Sequence, residues 1–121
     1  MDATRIIAIR HGETSWNATG RIQGHTDIPL NATGQAQAQQ AAQALADETL
    51  AAIYSSDLQR AWQTAQALAT TTQTALYPEP GLRERCFGVF EGRTFAEVAQ
   101  SHPEDSHRWR KRDPHLVFPG G

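Results

Sequence analysis

The sequence predicts an α/β fold with a mainly parallel sheet. Three observations lead there. The run Ile6-Ile7-Ala8-Ile9 is apolar at every position and stops at Gly12, as a strand buried on both faces of a parallel sheet does. Two further short β-compatible runs alternate with stretches of helical character, in the order β-α-β-α-β. Between the last two runs, Leu58, Trp62, Ala65 and Leu68-Ala69 recur at helical spacing as one apolar stripe.

Taken in order, the first strand is followed by a polar loop over residues 15–30, punctuated by Gly20, Gly24 and Pro29. Asn31 is a suitable N-cap for an alanine- and glutamine-rich helix reaching about Asp47. Residues 51–54 form the second expected strand, and Ser55-Ser56-Asp57 supply caps for the helix that carries the stripe. Thr74 to Tyr77 is the third, ended by Pro78 and Pro80. A long loop is expected over residues 79–93. Thr94-Phe95-Ala96-Glu97 then has the form of a capping box, and Pro103 suits the first turn of a last helix reaching about Arg112. Pro119-Gly120-Gly121 is turn chemistry.

With 121 residues, one domain over residues 1–121 is expected, large enough for a modest core. The net charge of −2 gives no global reason to expect nucleic acid or an anionic membrane as a partner. Cys86 is the single cysteine, so no internal disulfide is possible, and a cytoplasmic setting is expected. It reads as a packing residue. No apolar stretch approaches the length of a membrane span or a signal peptide. The basic run His107-Arg108-Trp109-Arg110-Lys111-Arg112 mixes cations with an aromatic, but Glu104, Asp105 and Asp113 flank it. A solvated helix face, with Trp109 packed on the body, is the favoured reading.

Arg10-His11 leaves the first expected strand at its carboxyl end, the edge where open α/β sheets bind ligands. A neutral imidazole nitrogen can attack phosphorus, and arginine presents a fork matched to phosphate oxygens. Arg60, in the first turn of the second long helix, falls at the same edge if the two strands are neighbours. A helix N-terminus there adds free N–H groups that favour an anion. The alternatives, a hydrogen-bonded strand-end histidine and an exposed helix arginine, stay open on spacing alone.

Arg10-His11-Gly12-Glu13-Thr14 with Trp16-Asn17 resembles the signature of the histidine phosphatase superfamily, which includes the cofactor-dependent phosphoglycerate mutases. The resemblance continues through Gly20-Arg21-Ile22-Gln23-Gly24, Asp27-Ile28-Pro29-Leu30, the block from Tyr54 to Ala61 with Gln63-Thr64-Ala65, and Leu82-Arg83-Glu84 followed by Phe87-Gly88 and Glu91-Gly92. It implies a three-layer phosphoglycerate mutase-like fold. It makes His11 the nucleophile, Arg10 and Arg60 the grip on the phosphoryl oxygens, and Glu84 the acid that protonates the leaving oxygen. Glu13 and Glu91 are the alternative carboxylates. Asn17, Gln23 and Gly24 would line the phosphate pocket, with Arg21 and Arg83 at its rim. The substrate would be a small phosphorylated metabolite, with no metal or other cofactor, since guanidinium groups take the place of a cation.

The resemblance also marks departures. Family members carry a second catalytic histidine late in the chain, on a strand end before glycines; His25, His102, His107 and His115 do not fit that context. The chain is therefore expected to be the N-terminal portion of such a protein, truncated on the C-terminal side of the fold. An open apolar sheet edge is then expected at residues 6–9, able to support strand exchange or a homo-oligomer. The block around Cys86-Phe87 looks more like the phosphatase branch than the mutase branch, which has a histidine-tyrosine pair there. The expected function is hydrolysis of phosphomonoesters through phospho-His11. A phosphoglycerate mutase and an inactive phosphate-binding or interaction fragment are the alternatives.

Overall fold

The computed structural model describes residues 3–121. Its elements, in chain order, are α1 (Ser15–Ala18), α2 (Ala32–Ala44), β1 (Ile53–Ser55), α3 (Gln59–Thr72), β2 (Leu76–Pro78), α4 (Phe95–Ser101) and α5 (Pro103–Arg110), with 3₁₀ turns at Pro80–Leu82 and Gly88–Phe90. β1 and β2 form a two-stranded parallel sheet in which Ile53 faces Leu76 and Ser55 faces Pro78. Pro78 has no N–H, so the next donor is Glu79, whose N–H reaches the Ser55 carbonyl at 2.7 Å. α3 is the crossover between the two strands and packs along α2.

The first expected strand does not form. Residues 6–9 are not a strand, and Ile6 is 85% exposed. Among the described residues, residues 3–12 make no backbone–backbone hydrogen bond. A strand exists only as part of a ladder, and apolar, β-branched composition supplies a preference without supplying a partner. The run's far end is instead fastened between the helices. The Gly12 N–H donates to Thr64 Oγ1 on α3 at 3.0 Å.

Local chemistry sets the helix ends. The Asn31 side chain accepts from the Gly34 N–H and starts α2, which ends at Ala44, short of Asp47. The expected loop over residues 15–30 contains α1, where Thr14 and Asn17 form a reciprocal capping box. At α3 the caps differ from expectation. Leu58 is the N-cap and makes no side-chain cap bond, Ser56 Oγ accepts from the Leu58 N–H, and Asp27 Oδ1 accepts from the Gln59 N–H at 2.7 Å. A carboxylate 32 residues upstream thus caps the helix. The buried face of α3 also shifts, to Arg60, Thr64 and Leu68, while Trp62 and Ala65 are half-buried. Thr94 caps α4 by accepting from the Glu97 N–H, and Pro103 opens α5, which stops at Arg110 rather than Arg112.

The main apolar core, formed by Ile22, Phe90, Val98, Leu116 and Phe118, lies beneath α4 and α5. Trp109 packs on it, stacked on Phe87 at 5.1 Å and edge-on to Phe118 at 4.8 Å. Arg110 stays exposed and Arg108 pairs with Asp113 at 2.8 Å, which bears out the solvated basic face. Phe90 lies in the expected loop yet is fully buried. Phe90→Ala is expected to cost about 3–5 kcal/mol, read as the change in unfolding free energy in urea.

Candidate active site

The chain crosses from His11 to α1 over the first turn of α2. A Cβ on Gly12 would stand 2.5 Å from the Gly34 carbonyl oxygen, and one on Gly34 would overlap the Glu13 backbone. Only two glycines permit this approach. Glu13 then ties the turn down. Its carbonyl accepts from the Asn31 N–H at 3.0 Å, its carboxylate accepts from Asn31 Nδ2 at 2.9 Å, and its own N–H donates to Gln37 Oε1 at 2.9 Å.

His11 is half-buried, and its Nδ1 lies 2.6 Å from the Gly12 carbonyl oxygen. A carbonyl can only accept, so Nδ1 carries the proton and Nε2 keeps its lone pair. Burial lowers the imidazole pKa from its ordinary 6.5, and the positive charges of Arg60 and Arg10 lower it further. The bond to Gly12 and the charge of Glu84 oppose this without reversing it. The result is a neutral ring with a free nitrogen in a positive field. A cavity of about 210 Å³ adjoins it, lined by Arg10, His11, Gly12, Gln37, Ala38, Ala41 and Thr64; Arg60 and Glu84 do not border it.

Arg60 is only 3% exposed, in the first turn of α3. Its Nη2 donates to the Gly24 carbonyl at 2.6 Å and its Nη1 to the Thr26 carbonyl at 2.9 Å. Burial draws the guanidinium pKa down from its usual value, and Glu84, Asp27 and Glu91 counter that; arginine remains charged. The Arg60 carbonyl accepts from Thr64 Oγ1 at 2.8 Å, so Thr64 joins α3 to Gly12.

Glu84 is exposed, and its carboxylate accepts only the N–H of Arg85, at 2.8 Å, among the described residues. Its charge bears on both His11 and Arg60. The two alternative carboxylates are occupied. Glu13 holds Asn31, and Glu91 accepts from the N–H groups of His25, Thr26 and Phe87 and from the Thr26 hydroxyl. Burial alone would raise the Glu91 pKa, but those bonds bring it below the ordinary carboxylate value.

The remaining predicted residues divide. Gln23 is buried, accepting the Thr14 hydroxyl at 2.6 Å, and Gly24 offers its carbonyl to Arg60 at φ +57°. Asn17 spends its side-chain oxygen on the Thr14 N–H. Arg21 turns to the Gly92 carbonyl at 2.6 Å and to Glu97 at 3.7 Å. Arg83 grips Asp57 through Nε at 2.6 Å and Nη2 at 2.5 Å, which lowers the Asp57 pKa and raises its own. Arg10 and His11 border one cavity, and the charges of Arg60 and Glu84 bear on the His11 ring. Sequence reasoning missed the supporting roles of Asp27, Thr64 and Glu91. Thr64, a polar residue one turn after Arg60 on a buried helix face, was the discoverable one.

The sequence pattern of the histidine phosphatase superfamily (branch 1) matches residues 6–121. The chain is 41% identical to a metal-independent phosphoserine phosphatase of Arabidopsis thaliana over 99% of this chain and 51% of that protein. It is 39% identical to phosphoglycerate mutase-like protein 4 of the same plant, over 100% of this chain and 54% of that one. A solved phosphoserine phosphatase from Entamoeba histolytica, in complex with 3-phosphoglyceric acid, superposes with a TM-score of 0.78 at 37% identity, covering 89% of this chain and 52% of its own. The chain belongs to the histidine phosphatase superfamily, with that family's phosphoglycerate mutase-like α/β fold. It spans about half the length of the curated relatives it matches.

Proposed function

We propose that this chain carries the nucleophile side of a phosphomonoester hydrolase that works through phospho-His11. The observation that supports it most is the state of His11, a neutral ring with Nδ1–H fixed to Gly12 and Nε2 free, in the field of Arg10 and Arg60. Nε2 attacks phosphorus, Arg10 and Arg60 neutralise the equatorial oxygens, and Glu84 gives a proton to the departing alkoxide. Water then attacks the phosphohistidine, losing its proton to Glu84 and releasing phosphate and the free imidazole.

The substrate class is a small phosphorylated metabolite, in keeping with relatives named for phosphoserine and with one solved with 3-phosphoglyceric acid. A mutase reading, in which a second hydroxyl replaces water, has support in the name of one relative. Incubation with p-nitrophenyl phosphate, and separately with 3-phosphoglycerate plus 2,3-bisphosphoglycerate, separates the two. The hydrolase reading expects release of inorganic phosphate from the first. Isomerisation of the second without phosphate release overturns it.

Because the folded His11 pKa lies below 6.5, the nucleophilic ring stays neutral at pH values where a free imidazole is already protonated. An NMR titration of the His11 ring is expected to give a midpoint below 6.5. The stability linked to this shift is intact above the unfolded value and is lost as pH falls through the folded midpoint.

A further inference from the structure

Among the described residues, the Arg60 guanidinium donates to two backbone carbonyls of one loop, those of Gly24 and Thr26. That loop has no regular secondary structure to hold it. Asp27 and Gln23 anchor it on either side, and across residues 25–26 the Glu91 carboxylate takes several of its donors. Glu91 Oε1 accepts from the Thr26 N–H at 2.8 Å and the Thr26 hydroxyl at 2.5 Å, while Oε2 accepts from the His25 N–H at 3.0 Å. Oε2 also takes the Phe87 N–H at 2.9 Å, which links the loop to the segment that follows Glu84. The carboxylate sits where a Cβ on residue 24 would be, so Gly24 makes room for it.

We infer that Glu91 is a positioning residue for phosphoryl transfer, one that sets the aim of the Arg60 guanidinium by clamping residues 24–26. The inference rests on the proposed role of Arg60 as a phosphate ligand. Glu91 faces four donors with an acceptor-only group, a match no neutral side chain reproduces. In Glu91→Gln, one oxygen becomes an NH₂ that confronts N–H groups, so the loop must shift. The Gly24 and Thr26 carbonyls move with it, and Arg60 follows. Displacement of about 1 Å in a positioning group is enough to matter for catalysis. Glu91 also contributes negative charge near buried Arg60, in the same direction.

The test uses inorganic phosphate as the probe, titrated calorimetrically into the wild type, Glu91→Gln, Arg60→Ala and the double variant, with NMR of the Arg60 guanidinium protons in the first two. The wild type is expected to bind phosphate and Glu91→Gln to bind it about tenfold more weakly. In the Arg60→Ala background, Glu91→Gln is expected to change the affinity by less than about twofold, because the two residues act as one unit. The guanidinium signals of Glu91→Gln are expected to lose the exchange protection seen in the wild type. Unchanged affinity with unchanged guanidinium signals overturns the inference, as does a full additional loss in the Arg60→Ala background. If the wild type takes up no phosphate, the phosphoryl-transfer reading falls, and the guanidinium signals alone decide whether Glu91 aims Arg60.

Discussion

His11→Asn is expected to reduce phosphomonoester turnover by at least about 10⁴-fold while leaving the fold in place, since loss of a covalent nucleophile is among the largest single losses an active site can suffer. Asparagine keeps an amide near the Gly12 carbonyl that now receives Nδ1–H. What disappears is the Nε2 lone pair, and with it the proposed covalent intermediate. His11 is half-buried at a chain crossing secured by Gly12, Glu13 and Asn31, none of which depends on the imidazole. Turnover of p-nitrophenyl phosphate beside the thermal unfolding midpoint separates the two effects. A variant that retains more than about a tenth of wild-type turnover contradicts a phospho-His11 route.

Arg60→Ala carries the second large effect, and it acts on stability as well as chemistry. The guanidinium donates to two carbonyls inside the protein, and hydrogen bonds from charged donors are worth about 1.5–3 kcal/mol each. Removing it leaves the Gly24 carbonyl without a partner among the described residues and the Thr26 carbonyl with only the Ile28 N–H, so a loss of about 3 kcal/mol in unfolding free energy is expected. A guanidinium that neutralises charge in a phosphoryl-transfer transition state is worth about 10³-fold or more in rate. Turnover should therefore fall by that order at a temperature where circular dichroism shows the variant folded. A loss of stability with turnover intact would make Arg60 a purely structural arginine.

The two effects share one origin, which explains why the sequence alone left Arg60 open between ligand and exposed helix residue. Helical spacing places Arg60 on α3 without saying what faces it. The facing group, residues 24–27, belongs to a loop more than 30 residues earlier. Asp27 capping α3 and Glu91 clamping residues 24–26 are contacts of the same kind, set by tertiary packing and leaving no local signature. By contrast, the Asn31 cap, the Thr94 cap and Pro103 were legible, because caps are decided within a turn of sequence.

The order of helices and of the second and third expected strands was legible too, with boundaries moved by a few residues. The first expected strand was not, since Ile6-Ile7-Ala8-Ile9 specifies burial and extension but not a ladder partner. Phe90 shows the opposite failure. It sits in a 3₁₀ turn whose short length carries no periodic signal, and it nonetheless lies at the centre of the core. Arg10-His11 was legible first because the pair ends an apolar run, whereas Arg60 and Glu84 were assigned through the resemblance to the family's sequence blocks. The supports of the site emerged last, because glutamate, threonine and glycine are ordinary until their partners are known.

The most direct measurement is labelling with a ³²P phosphomonoester, followed by digestion and mass mapping of the labelled peptide. An acid-labile, base-stable phosphoryl group on His11 is expected, absent from His11→Asn and sharply reduced in Arg60→Ala. A label that survives acid, or that maps to any residue other than His11, would contradict a phospho-His11 route.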